Sequence, residues 1–234
     1  MKLRISLLLL VAVFVSVTAF GQQFIPAFDT FSGKKVAYVT LEDGTKVEGT
    51  IKDLDRKKGQ IESITLRDSL GNKTEYTADQ IKVMYLPPSG FDKVMKTIDF
   101  AYDATQWGDD IEQDVINKGY AYFEKTEVQI KKKSFVLLMQ LVNPTFPGEI
   151  RVYTDPFANE TASLGIAGVT LAGGEEKSYF VKKGEAPAYK MLKKDYKDSF
   201  KTLYKGCQKA LKFGDKRVDW SDFASHVAAY NQCK

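Results

Sequence analysis

Short apolar runs separated by turn residues are the feature of this sequence that most restricts its fold. Residues 34–86 contain five such runs. Asp43-Gly44 separates the first two, and an Asp-Gly pair between alternating runs predicts a tight hairpin because its turn requires positive φ. Five short strands in one stretch predict a small barrel, since closure hides strand edges that would otherwise pair with other chains. We therefore assign residues 22–90 to a small β-barrel.

A second antiparallel β region is predicted over residues 120–193. Turn residues separate its strand-like runs, which lie at 120–130, 134–142, 149–154, 163–171 and 177–182. The alternation shifts phase at Gly168, which predicts a bulge. Residues 91–119 form an acidic, partly helical connector, with six acidic and no basic residues between positions 99 and 114. The sequence leaves open whether the two β regions form one domain or two.

Helical periodicity begins after the strands, over residues 194–234. One face of a first helix, from Asp195 to Gly214, carries Tyr196, Phe200, Leu203, Tyr204, Cys207 and Leu211. A second helix has an apolar stripe of Trp220, Phe223, Val227 and Tyr230, and Cys233 extends it. The whole chain is therefore predicted to be α+β, mostly β, and to end in a helical hairpin.

The first 21 residues have the layout of a secretory signal peptide. Lys2 and Arg4 precede an apolar stretch, and small residues at Ala19 and Gly21 mark a cleavage site after Gly21. The competing interpretation is an uncleaved anchor, but the apolar run is shorter than the ~20 residues that span a bilayer. Since no cysteine lies near the cut, a lipoprotein signal is not indicated. We expect a periplasmic or secreted protein that does not span the membrane after cleavage.

The two cysteines are expected to pair. Exported proteins meet an oxidising compartment, and Cys207 and Cys233 both lie on the faces that adjacent helices must bury. The pattern predicts a bridge that staples the helical hairpin. A redox-active pair is the alternative, but it usually needs a C-x-x-C spacing that this pair lacks.

Charge is distributed unevenly along the chain. The formal net charge is +4, from 34 basic and 30 acidic residues, yet residues 182–234 alone carry +7. Lysines recur about every four residues on the outer side of the first helix, at Lys197, Lys201, Lys205, Lys209 and Lys212. This face would attract anionic glycans or lipid headgroups, or it is simply a solvated helix face.

Catalytic and metal-binding motifs are not evident. The single histidine, His226, rules out a multi-His metal site and is expected to be half-exposed on the second helix. Residues 103–114 resemble a calcium loop in spacing, but Thr105 and Trp107 replace two carboxylate ligands. Cation binding in the acidic segment 99–114 stays open, and no cofactor is predicted.

Two resemblances add to these inferences. Residues 39–51, with the Asp-Gly turn and Gly49, resemble the opening hairpin of SH3-like and Sm-like barrels. This implies a small SH3-like barrel for residues 22–90. Sm-like proteins form RNA-binding rings, but export argues against a nucleic-acid partner.

The second resemblance spans roughly residues 134–234. Residues 148–153, 177–184 and 229–233 are similar to uncharacterised secreted proteins of Bacteroidota, in which a β-rich region precedes a two-Cys helical C-terminus. It supports export, the bridge and the order β then α, and implies no catalytic residue. Asp68-Ser69-Leu70 also matches an O-glycosylation site of that phylum, with Ser69 as acceptor.

The sequence thus favours an exported, non-catalytic binding or structural protein of the bacterial periplasm or cell envelope. Its partner would be an envelope protein or a glycan. The alternative is a carboxylate-based hydrolase that acts on glycan or peptide. A concave pocket with two close, pKa-perturbed carboxylates would favour the enzyme, whereas a flat, exposed apolar or aromatic patch would favour the binding protein.

Overall fold

A computed structural model describes residues 22–90, 111–157 and 176–233. Its strands are β1 (Val36–Leu41), β2 (Lys46–Lys57), β3 (Gln60–Arg67), β4 (Lys73–Thr77), β5 (Ile81–Leu86), β6 (Ala121–Ile130), β7 (Lys133–Leu141), β8 (Ile150–Thr154), β9 (Ser178–Lys183) and β10 (Ala188–Leu192). Its α-helices are α1 (Gln113–Asn117), α2 (Tyr196–Leu203), α3 (Gln208–Leu211) and α4 (Phe223–Asn231). Short 3-10 segments lie at Ala78–Gln80, Lys193–Asp195, Lys212–Asp215 and Trp220–Asp222.

Strands β1 to β5 form the first barrel, in the order β5-β1-β2-β3-β4. Two register shifts bend the long strand β2, so that one half pairs with β1 and the other with β3. The predicted Asp-Gly hairpin is confirmed, with Gly44 at φ +86° between β1 and β2. Alternation places Ala37 and Val39 in the core, next to Ile64, Met84 and Leu86. The predicted small SH3-like barrel is thereby confirmed.

Strands β6 to β10 form a second barrel, which confirms the second antiparallel β region. Each strand pairs antiparallel with the next, and β10 then pairs parallel with β6 through Ala188 and Val128. The closing pair is parallel because five alternating strands bring the first and the last into the same direction. Strand β10 was missed at the sequence level, and the predicted strand 163–171 with its bulge lies outside the described residues.

The two barrels share one ladder of strands. Strand β5 pairs antiparallel with the start of β6, from Val83 opposite Glu124 to Leu86 opposite Ala121. Helix α1, the described part of the acidic connector, adds Val115 and Ile116 to the core of the second barrel. The two β regions are therefore continuous in hydrogen bonding.

The C-terminal helices pack on the outer face of the second barrel. Val152 and Val181 project outward from β8 and β9 and meet Phe200, Phe223 and Val227. The prediction of one helix from Asp195 to Gly214 is wrong, because α2 ends at Leu203 and α3 begins after Cys207. Gly206 has φ +96°, a left-handed conformation that cannot continue a right-handed helix.

None of the helices in the described ranges is both long and apolar enough to cross a bilayer. The proposed signal peptide, residues 1–21, lies outside those ranges.

Candidate functional site

The cysteines form a disulfide, as the sequence predicted. The Sγ atoms of Cys207 and Cys233 are 1.94 Å apart, and their Cα atoms are 5.8 Å apart. Cys207 is buried, and its Sγ accepts a hydrogen bond from the Ala210 amide at the start of α3. The bridge joins the start of α3 to the end of α4. Its buried environment is typical of a structural disulfide.

The five lysines of the predicted anionic-ligand surface are all exposed. The break at Gly206 distributes them over two helices and their junction, so they do not follow one straight helix face. One of them, Lys209, donates to the Gln232 side chain at 2.6 Å. The arrangement fits a solvated surface as well as a ligand surface.

The prediction of a half-exposed His226 is wrong, because this side chain is 1% exposed. Its Nδ1 lies 2.6 Å from the Tyr196 hydroxyl, which lies 3.0 Å from the Tyr204 hydroxyl. Burial lowers the pKa of His226, opposed by the nearby charge of Asp222, and burial raises the pKa of both tyrosines. The three groups form a closed core network that no ligand reaches.

Ser69 lies in an exposed and well-ordered turn. The Asp68 carboxylate accepts hydrogen bonds from the Leu70 and Asn72 amides at 2.9 and 2.8 Å. The Asn72 side chain lowers the pKa of Asp68. This geometry leaves the Ser69 hydroxyl accessible, and its glycosylation stays a prediction.

A polar pocket of about 450 Å³ opens at one end of the second barrel. Glu124 and Arg151 share the inward face with Tyr153, and Arg151 Nη1 donates to Glu124 Oε2 at 2.5 Å. Tyr153 donates to Glu124 Oε1 at 2.6 Å, and Tyr122 donates to Oε2 at 3.3 Å. Burial raises the pKa of Tyr153, and the charge of Glu124 adds to the effect. The Glu124 carboxylate thus accepts hydrogen bonds from three neighbouring side chains, which fix its position inside the barrel.

Residues 148–153, 177–184 and 229–233 meet beside this pocket. A Cβ on Gly148 would lie 2.7 Å from Asn231 Cγ, so a larger residue there would force Asn231 to move. The Asn231 side chain accepts from the Ile150 amide at 2.8 Å. Lys183 Nζ lies 4.4 Å from the centre of the Tyr230 ring. These contacts join the last helix to the barrel.

A carboxylate cluster lies in a second, smaller cavity between the barrels. Burial raises the pKa of Glu176, and the charges of Asp155 and Asp29 add to the effect. Asp155 already accepts from Ser178 at 2.7 Å and pairs with Lys190 at 2.6 Å. The cavity volume is about 30 Å³, room for about one water molecule. A sugar or peptide substrate does not fit in that space.

An aromatic surface lies outside the first barrel, and we define it as the exposed Val36 and Tyr38 together with the half-buried Tyr120. Val36 and Tyr38 are 37% and 38% exposed, because alternation in β1 turns them away from the core. The rings of Tyr38 and Tyr120 are 5.8 Å apart and inclined by 39°. The Tyr120 hydroxyl donates to the Val36 carbonyl at 3.0 Å.

The aromatic surface is held rigidly and has a polar rim. Tyr38 lies opposite Glu48 on β2 and opposite Tyr85 on β5, so its backbone is paired on both sides. Lys46 and Glu112 form an ion pair of 3.2 Å nearby on the same outward face. Sequence reasoning assigned Val36 and Tyr38 only to a strand. The surface could have been predicted because Val36 and Tyr38 alternate with the core residues of β1 and so lie on its solvent-facing side.

Over residues 22–90, 111–157 and 176–233, no group of three or more His, Cys, Asp or Glu side chains could hold a metal ion. No family model, curated protein or solved structure matches the chain.

Proposed function

We propose that this chain is an exported, non-catalytic binding protein of the bacterial periplasm or cell envelope. The aromatic surface of Val36, Tyr38 and Tyr120 is the observation that carries the proposal. Export rests on the signal-peptide layout of residues 1–21, and the disulfide between Cys207 and Cys233 suits an oxidising compartment. Kinship with the secreted Bacteroidota proteins is part of the same proposal.

The aromatic surface suits the binding of a ligand and does not suit its cleavage, because none of its side chains is a carboxylate. Tyrosine presents a large amphipathic ring at a low cost in conformational entropy, because it has few rotatable bonds. The backbone of Tyr38 is paired in the sheet, and the Tyr120 hydroxyl is hydrogen-bonded to Val36, before any ligand arrives. Little conformational freedom is therefore lost on binding. A glycan would lay the C–H face of a sugar on the rings, and an envelope protein would bury an apolar side chain there.

The alternative, a carboxylate-based hydrolase, has one observation in its favour. Glu176 has a raised pKa beside Asp155 and Asp29, as a general acid would. The cavity around them admits about one water molecule, and Asp155 is already bonded to Ser178 and Lys190. The accessible aromatic surface therefore supports binding better than this cavity supports catalysis.

The test measures retention of the exported protein on two probes, purified peptidoglycan sacculi and immobilised envelope proteins. A variant with Tyr38→Ser and Tyr120→Ser should lose about five- to thirtyfold in retention on one probe, as expected for removal of interface hot spots. Phe213→Ser is the matched control, since Phe213 is a similarly exposed aromatic side chain elsewhere, at 42%. Equal retention of the tyrosine variant and the wild type, or retention of the wild type by neither probe, contradicts the proposal.

A further inference from the structure

The β6–β7 hairpin ends in an exposed basic tip. The two strands pair from Tyr122 opposite Leu141 to Ile130 opposite Lys133. Lys131 stands in the turn with φ +59°, and Lys131, Lys132 and Lys133 are all exposed. Within the described ranges, these three ammonium groups take part in no ion pair. Among the described residues, the positive charge of the tip is therefore not compensated by an ion pair.

Two exposed apolar side chains follow these lysines along β7. Phe135 is 43% exposed and Val136 is 62% exposed. Phe135 lies opposite Val128 and Val136 lies opposite Glu127, so the two side chains project from opposite faces of the hairpin. Further along β7, Leu138 and Met139 are buried, so the exposure is confined to the tip. Glu127 is the only acidic residue of β6 or β7 on this exposed part, which leaves the tip with a net positive charge.

We propose that this tip, residues Lys131 to Val136, docks on the anionic phospholipid surface of a membrane. The lysines would lie at the headgroups, where each cation contributes about 1 kcal/mol, or about fivefold in partitioning. Phe135 and Val136 would enter the boundary between headgroups and acyl chains. This inference does not depend on the aromatic surface, which lies on the first barrel.

A lipid surface fits the tip better than an anionic glycan does. Lysines alone would suffice to attract a polyanion, and the apolar side chains would add nothing to that attraction. Apolar side chains on both faces of one ribbon gain contact only when the ribbon enters an apolar layer. The combination of Lys131 to Lys133 with Phe135 and Val136 is thus typical of interfacial insertion.

The test is cosedimentation of the exported protein with phosphatidylcholine vesicles that contain roughly one-third phosphatidylglycerol, compared with pure phosphatidylcholine. We expect binding to the anionic vesicles only, weakened by salt. Changing all three lysines (Lys131→Gln, Lys132→Gln, Lys133→Gln) should reduce partitioning about 100-fold. Phe135→Ser should reduce it roughly three- to ninefold, scaled from the exposed fraction of a Phe side chain.

The matched control carries the same charge change at three exposed lysines of the first barrel, as Lys52→Gln, Lys73→Gln and Lys82→Gln. It should bind the anionic vesicles like the wild type, and thermal unfolding checks that every variant stays folded. Absence of wild-type binding to these vesicles, or an equal loss in the control, overturns the proposal. Full binding by Phe135→Ser also overturns it, because the tip would then act as a polyanion site without insertion.

Discussion

Replacing Arg151 with methionine removes the cation that faces Glu124 inside the second barrel. The two side chains are only 19% and 12% exposed, so water replaces the lost partner only in part. Breaking a buried ion pair by removing one member usually costs 3–5 kcal/mol. We expect about 3 kcal/mol here, at the low end, because both side chains keep some solvent contact and Tyr153 still donates to Glu124.

Urea denaturation measures this loss in the free energy of unfolding. Methionine matches much of the arginine stem in volume, so the cost comes mainly from the unpaired carboxylate. The control is the double variant Arg151→Met with Glu124→Gln, whose neutral amide can still accept from Tyr153. It should recover most of the loss, with a coupling energy of about 2 kcal/mol in the double-mutant cycle.

The two variants together decide whether the loss is electrostatic. A loss below about 1 kcal/mol for Arg151→Met, the value of an exposed ion pair, would refute the reasoning. A double variant that recovers nothing would refute it as well.

Three further predictions concern the C-terminal helices. Folding lowers the pKa of His226, so the unfolded chain binds the proton more readily. The free energy of unfolding should therefore fall as the pH drops from 6.5 toward the pKa of His226 in the folded protein. Urea denaturation of His226→Gln at both ends of this range should show a smaller change in the free energy of unfolding than the wild type shows. Cys233→Ser opens a loop with a sequence separation of 26 and should lower the free energy of unfolding by about 3.5 kcal/mol in the chain-entropy model, measured without reductant, and reducing the wild type should give the same loss. Gly148→Ala would place its Cβ 2.7 Å from Asn231 and should lower the melting temperature by several degrees, about 1–3 kcal/mol, whereas an unchanged melting temperature would show that α4 shifts freely.

Local patterns in the sequence predicted local structure well. The Asp43-Gly44 hairpin needed only two residues and the alternation beside them. The disulfide could be predicted because Cys207 and Cys233 both fell on apolar stripes. The α+β order followed in the same way from the change in period after residue 193.

Features that depend on distant packing could not be predicted in this way. The apolar spacing continues through Gly206, so periodicity alone did not reveal that the helix breaks. His226 lies beside the stripe of α4, but tertiary contacts bury that helix on nearly every side. The Glu124–Arg151 pair and the aromatic surface depend on register between strands far apart in sequence. Alternation in the sequence predicts which residues share a face of a strand. Only the tertiary structure shows which of the two faces is exposed to solvent.

The parallel pairing of β10 with β6 has a consequence for how the molecule assembles. Synthesis delivers the chain from its N-terminus, so β1 to β5 can pair while later residues are still emerging. Strand β6, in contrast, cannot complete its hydrogen bonding until residues 188 and 189 of β10 have been synthesised. Until then its free edge can recruit another chain, and such long-range closure is slow. We expect the second barrel to be the late step of folding and the origin of aggregation when synthesis stalls.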